Sequence, residues 1–251
     1  MIGKCPFPAR SQGDTPNPSP NPTPEHAAMP LSLLLKTQTQ PQHDDAEHHP
    51  LHAVLFGSQG HARARAAYVR LLAQHLHVQE AFEPRLRSAA SGSRLLGALV
   101  REHHYHLDAL REDLAALGVT PELRIMCPAT TRFIAFIELC AAHEGHGLLG
   151  VFYVFEGSTN GGTIVAKKIK ESLGTGDGAG TRFINPHGPL VRARWAAWKE
   201  MLDTIDFDAR QRHAIIAAAR ETFRLSHAVL DDVHRAMHPD GVTHTPIAVA
   251  P

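Results

Sequence analysis

Between residues 61 and 83 the apolar side chains of Ala66, Val69, Leu72, Ala73, Leu76 and Phe82 recur three and four positions apart. That spacing lines one face of an α-helix. The same rhythm in Leu95, Leu96, Leu99, Leu107, Leu110 and Leu114 predicts a helix over 93–117, ended by Gly118 at a position that favours glycine. Residues 129–142 (ATTRFIAFIELCAA) and 208–236 are two more amphipathic helices, the second with Asp208 as its N-cap. Strand patterning is nearly absent. The apolar run Leu148–Phe155 is too short for periodicity to assign. It leads straight into a helical pattern and is expected to be the first half of a buried helix. No fixed-period repeat is visible. The pattern predicts one all-α domain over residues 31–238.

The flanks read differently. Pro6, Pro8, Pro16, Pro18, Pro20, Pro22, Pro24 and Pro30 interrupt residues 1–30, and repeated prolines remove amide donors and fix φ. A disordered tail is expected there, although a start codon placed too far upstream accounts for it equally. A flexible tail is expected over 239–251.

Composition narrows the function classes. Lys+Arg and Asp+Glu are both 25 in 251 residues, a formal net charge of zero. This argues against a broad nucleic-acid or anionic-membrane footprint. Cys5, Cys127 and Cys140 show no CxxC spacing and suit a reduced, cytoplasmic setting. No apolar stretch is long enough for a signal segment or a membrane span. Nineteen histidines make metal or haem ligation worth asking about.

Two segments carry candidate chemistry. In LSLLLKTQTQPQHDDAEHH (31–49), His43 and Glu47 lie one helical turn apart. Glu47 can accept the Nδ1 proton of His43 and leave Nε2 for a metal. Lys36, two turns earlier, can reach an anionic ligand over the same face. Pro41 predicts a kink or a new helix start just before His43, because an interior proline costs roughly 3 kcal/mol. The bland alternative is a surface His–Glu pair. In GVFYVFEGSTNGGTIVAKKIKESLG (150–174), Gly157, Gly161 and Gly162 interrupt a good helix, each at a cost of about 1 kcal/mol. Gly157 and Gly161 share a face where a flat ligand can touch the backbone and where the helix can bend. A helix-packing face of the GxxxG type and a glycine hinge without haem are alternatives. A phosphate loop fails because Thr163 stands where its lysine belongs.

The Leu-x4-Thr-x3-His-x3-Glu pattern through Thr39, His43 and Glu47, with the string Tyr153-Val-Phe-Glu-Gly-Ser-Thr-Asn-Gly-Gly162, resembles the haem oxygenase family. The likeness is to its bacterial, bacteriophytochrome-associated branch and spans about residues 31–232, with RFINPHGPLVRARWAAWKEML (182–202) resembling the segment after the distal helix. It implies a multi-helical domain with haem between proximal and distal helices, and His43 as proximal iron ligand with Glu47 beside it. Gly157, Ser158, Gly161 and Gly162 would form the distal, catalytic face, Ser158 replacing the aspartate of animal-type members with a different water network. Lys36, Lys199, Arg192 and Arg194 would meet the haem propionates. Some relatives use a tyrosine hydroxyl toward a propionate; here that position is Phe152, and Tyr153 is expected to face elsewhere.

The implied reaction cleaves haem, both cofactor and substrate, to biliverdin, carbon monoxide and ferrous iron, with no other metal expected. Electrons would come from a ferredoxin or a flavin reductase, and a bacteriophytochrome would accept the biliverdin. A non-catalytic haem carrier on the same scaffold is one alternative. A di-iron protein is another, for which Glu102 and His106 match in part while Glu144 and His146 have the wrong spacing.

Overall fold

The longest apolar stripes become the longest helices. The structure, a computed structural model, describes residues 29–57, 60–119, 125–142, 145–175 and 179–238. Both expected tails lie almost wholly outside the described residues. Helices α1 (Leu31–Glu47), α2 (Leu51–Phe56), α3 (His61–Gly92), α4 (Arg94–Leu99), α5 (Leu107–Ala116), α6 (Pro128–Ala142), α7 (His146–Ser158), α8 (Gly162–Leu173), α9 (Val191–Asp203) and α10 (Ala209–Ala236) follow in order. Short 3₁₀ turns occupy Glu102–His104, Thr159–Gly161 and Gly188–Leu190. No strand occurs among the described residues, so the all-α expectation holds.

Helix α10 is the axis of the packing. Its buried stripe of Ile215, Ala219, Leu225 and Val229 meets Leu148, Leu149, Val151 and Phe152 of α7 in the main core. Gly150 sets how close the two helices come, since a Cβ there would lie 2.3 Å from the Ile215 carbonyl oxygen. Asp208 caps α10 by accepting the Gln211 amide at 2.8 Å, as its sequence position predicts. The C-cap reading at Gly118 also stands, with φ of +60°.

Two sequence expectations need correction. The helix predicted over 93–117 is interrupted: α4 ends at Leu99 and α5 starts at Leu107. The reason is tertiary. Glu83 of α3 accepts the amides of His106 and Leu107, capping α5 with a side chain some two dozen residues upstream. Conversely, α1 runs unbroken through Pro41 with no new start before His43. Pro41 and Thr37 are both exposed, so water can meet the Thr37 carbonyl that the missing amide would have served.

Candidate functional site

A cleft of about 1060 Å³ opens beside α10, between α1 and the end of α7. Its α1 wall carries Lys36, Thr39, Gln40, His43 and Glu47; a second wall carries Tyr153, Gly157 and Ser158 of α7 and Gly161 of the turn after it. Trp195 and Lys199 of α9 and Phe223 of α10 complete it. The α1 wall is anchored from two sides. Asp203 accepts the Ser32 amide at 2.8 Å, and Arg220 donates to the Gln38 carbonyl at 2.9 Å. Leu31, Leu34 and Leu35 are buried, which turns Lys36, His43 and Glu47 outward onto the cleft.

His43 and Glu47 keep the predicted one-turn relation but not the predicted nitrogen. Nε2 lies 3.7 Å from Glu47 Oε1, whereas Nδ1 lies 3.7 Å from Asp44 Oδ1. The two carboxylates thus flank both ring nitrogens, and half-turning the ring exchanges them. The side chains of His43 and Glu47 are 49% and 63% exposed, and Phe223 meets the imidazole edge-on at 6.0 Å. An accessible imidazole backed by an apolar ring and a carboxylate is a fitting donor for a metal that arrives inside a ligand.

The glycines separate by role. A Cβ on Gly161 would meet nothing within 4 Å, and one on Gly157 would touch only the Trp195 ring at 3.5 Å. Both leave room in the cleft. Gly162 does not line it: a Cβ there would sit 2.1 Å from the Ile184 carbonyl oxygen. Gly162 is buried so that α8 can start against the 184–185 backbone, which corrects its expected distal role. Ser158 lines the cleft, but its hydroxyl donates to the Phe155 carbonyl at 2.7 Å. It can only accept a hydrogen bond from a water there.

The expected basic cluster also divides. Lys36 and Lys199 line the cleft, and among the described residues neither ammonium is in an ion pair; Lys199 rests 5.7 Å from the Trp195 ring centre. Arg192 and Arg194 are not on the cleft wall. Arg192 is exposed, and Arg194 donates to His187 Nδ1 at 2.8 Å. Tyr153, expected to face away, lines the cleft while Phe152 is buried against Trp198 and His104. Burial raises the Tyr153 hydroxyl above its ordinary pKa, and a hydrogen bond with Thr39 offsets part of that.

Sequence reasoning missed a second polar cluster behind α7. Glu156 is buried, with Oε1 2.6 Å from His187 Nε2 and 4.0 Å from His104 Nε2, and Oε2 3.6 Å from His106 Nε2. Burial by itself would raise this carboxyl. Contacts from His106 and His187 and the field of His104 overcome that and hold it down at about 2. His104 is driven by burial down to about 3 and stays neutral, despite the opposing pull of Glu156. The signal was present in sequence: one carboxylate in the apolar run VFYVFE must find partners if that run is buried, and HHYH (103–106) supplies candidates. The di-iron alternative gains nothing from it. Glu102 pairs with Arg87 on the surface, and groups of potential ligands among the described residues number three at most. Glu144 lies outside the described residues.

The cleft fits a haem in its donor set: one accessible imidazole, two lysines for carboxylates, aromatic walls, and a glycine face that a Cβ would begin to fill. The family model described as "Heme oxygenase" matches residues 29–232. No curated protein matches the sequence. Among solved structures, haem oxygenase from Leptospira interrogans shares 22% identity, covers 80% of this chain and 98% of its own, and has a TM-score of 0.72. Haem oxygenase 1 from the cyanobacterium Synechocystis, solved in complex with haem, shares 17%, covers 84% and 96%, and scores 0.74. A domain of unknown function with a haem oxygenase-like fold from Shewanella denitrificans shares 20%, covers 83% and 94%, and scores 0.60. At these identities the structures speak for the fold alone.

Proposed function

The chain belongs to the haem oxygenase family, and we propose that it cleaves haem to biliverdin, carbon monoxide and ferrous iron. The observation that carries the reading is the cleft itself: His43 with Glu47 on one wall, and open space at Gly157 and Gly161 on another. His43 would ligate the haem iron through an imidazole nitrogen, with Glu47 or Asp44 holding the proton on the other. Lys36 and Lys199 would meet the propionates by charge-assisted hydrogen bonds, which fix the rotation of the ring in its own plane. Trp195 and Phe223 give apolar contact. Gly157 and Gly161 leave the distal side bare, and Ser158 accepts from water there. Bound haem supplies both the iron that activates dioxygen and the carbon skeleton that is oxidised.

Electrons are assigned to an external donor, a ferredoxin or a flavin reductase. A bacteriophytochrome is the proposed acceptor of biliverdin. No helix among the described residues is long and apolar enough to cross a membrane. The cytoplasm is the proposed setting, as the cysteine pattern suggests.

Haemin titration followed by a reductant in air tests the proposal. A saturable Soret band near one equivalent, replaced under reductant by broad red absorption with release of carbon monoxide, is the expected result. A Soret band that survives reductant would make the protein a haem carrier. Absence of any band would leave the cleft for another ligand.

A further inference from the structure

We propose that buried Glu156 and His187, with half-buried Arg194, form a charge relay that positions the glycine bend against α9 and thereby sets the distal wall of the cleft. Its consequence for haem rests on the haem oxygenase reading; its effect on the wall does not.

The proton positions follow from the partners. A guanidinium can only donate, so Arg194, 2.8 Å from His187 Nδ1, makes that nitrogen an acceptor. The proton of the neutral ring is then on Nε2, which donates to Glu156 Oε1 at 2.6 Å. His104 is fixed in the same sense, because its Nδ1 accepts the Arg101 amide at 3.0 Å and its Nε2–H faces Glu156. A divalent metal among His106, Glu156 and His187 is therefore disfavoured, since it would have to displace a proton that Arg194 keeps on His187 Nε2. The arrangement is a cation on α9 balancing an anion on α7 through one imidazole.

Its placement gives it leverage. Glu156 is the residue before Gly157, where α7 tightens into the 3₁₀ turn at Thr159–Gly161. On the cleft side, that bend has no side chain of its own at Gly157 or Gly161 to hold it. On the other side it is held by the carboxylate. Arg194 is followed directly by Trp195, the ring that a Cβ on Gly157 would reach at 3.5 Å, and Lys199 lies on the same helix. One hydrogen-bonded chain thus couples the bend to the aromatic and the lysine facing it. Trp195 and Trp198, the two tryptophans of the chain, stack at 5.2 Å with an 8° interplanar angle. Their near-ultraviolet dichroism depends on the fixed packing of both rings and reports the wall without any ligand.

The test uses the whole chain. Near-ultraviolet circular dichroism of the haem-free protein, haemin affinity and the ferric haem spectrum are compared for wild type, Glu156→Gln, Arg194→Met and Arg194→Lys. In Glu156→Gln and Arg194→Met the tryptophan signal is expected to fall by about half, with haemin affinity weakened roughly tenfold and a shifted ferric spectrum. Arg194→Lys, which keeps the donor and its charge, is expected to recover most of both. If Glu156→Gln does not fold, Arg194→Met decides, because Arg194 is only half-buried. Folded variants with lowered melting temperature but wild-type dichroism, affinity and spectrum would overturn the relay as a positioning device. Wild-type protein that takes up no haemin would overturn the haem reading, and the dichroism would still decide the relay.

Discussion

Toward the cleft, the end of α7 and the turn after it are opened by Gly157 and Gly161; on its other side α7 carries a carboxylate whose oxygens face three imidazoles. The first face needs space and tolerates water, so it is half-open. The second carries a charge out of water, where a lost partner costs several kcal/mol, so it is closed. One helix turn thus separates a surface that receives a ligand from a network that holds the surface still. The difference shows that a bare site requires a rigid support, because the bare face supplies few contacts of its own.

The largest effect is expected on the α1 wall, where one atom would bind iron. His43→Ala should lose the wild-type ferric haem spectrum and turnover by more than about a hundredfold, because the ring's protein–iron bond is removed. Stopped-flow loss of the Soret band under reductant checks this. Undiminished turnover would move ligation to another histidine and detach the α1 wall from the chemistry. Next are the two adjacent glycines, which the structure assigns to opposite tasks. Gly161→Leu should fold normally yet weaken haemin binding by at least roughly tenfold, by filling the cleft. Gly162→Ala should do the reverse and lower folding stability by about 1–3 kcal/mol, because the Ile184 backbone must move. Thermal melts and haemin titrations of both variants measure the contrast directly. A destabilised Gly161→Leu with a well-folded Gly162→Ala would exchange their roles.

This contrast also marks what the sequence could and could not reveal. Glycine in a helix is a local anomaly, so Gly157 and Gly161 stood out without knowledge of any neighbour. The apolar stripes of α3, α6 and α10 were equally local. The break between α4 and α5 was not, since it depends on Glu83 reaching the amides of His106 and Leu107. Gly162 was read with its neighbours because nothing local distinguishes a glycine facing a cleft from one facing a carbonyl. The relay was missed for the same reason: Glu156, His187 and Arg194 come from three segments, and only the fold brings them together. Arg194 was placed with Lys199 by proximity in sequence, yet one turn of α9 sends it to His187 and leaves Lys199 on the cleft.

The buried face has its own pH signature. His104 titrates at about 3 in the folded chain, against an ordinary value near 6.5, because burial disfavours its charged form. Its native environment therefore contributes fully above pH 6.5. As pH falls toward 3 the unfolded chain binds a proton that the folded chain refuses, and stability drops by roughly 1–2 kcal/mol per unit. Glu156 has the depressed value usual for a paired carboxylate, and its contribution is lost only as pH falls from the ordinary 4.5 through about 2. Urea titrations between pH 7 and 5 should thus show the histidine effect alone, the carboxylate effect entering only below about pH 4.5. His104→Gln should flatten the slope in that window, and an unchanged slope would assign it to other histidines.

The smallest effects belong to the rim of the cleft, where charge is exposed. Lys36→Gln and Lys199→Gln should each weaken haemin binding by only about two- to fivefold, because exposed ion pairs contribute roughly 0–1 kcal/mol. Lys199 should matter more than Lys36, since its ammonium already lies near Trp195 and loses less freedom on meeting a propionate. Arg192→Gln, away from the cleft wall, should leave affinity unchanged. Haemin titrations at two salt concentrations separate these cases, because a lysine effect that is electrostatic shrinks as the Debye length shortens. A larger loss in Arg192→Gln than in either lysine variant would place the propionates near the N-terminal end of α9 and shift the cleft's anionic end away from Lys36.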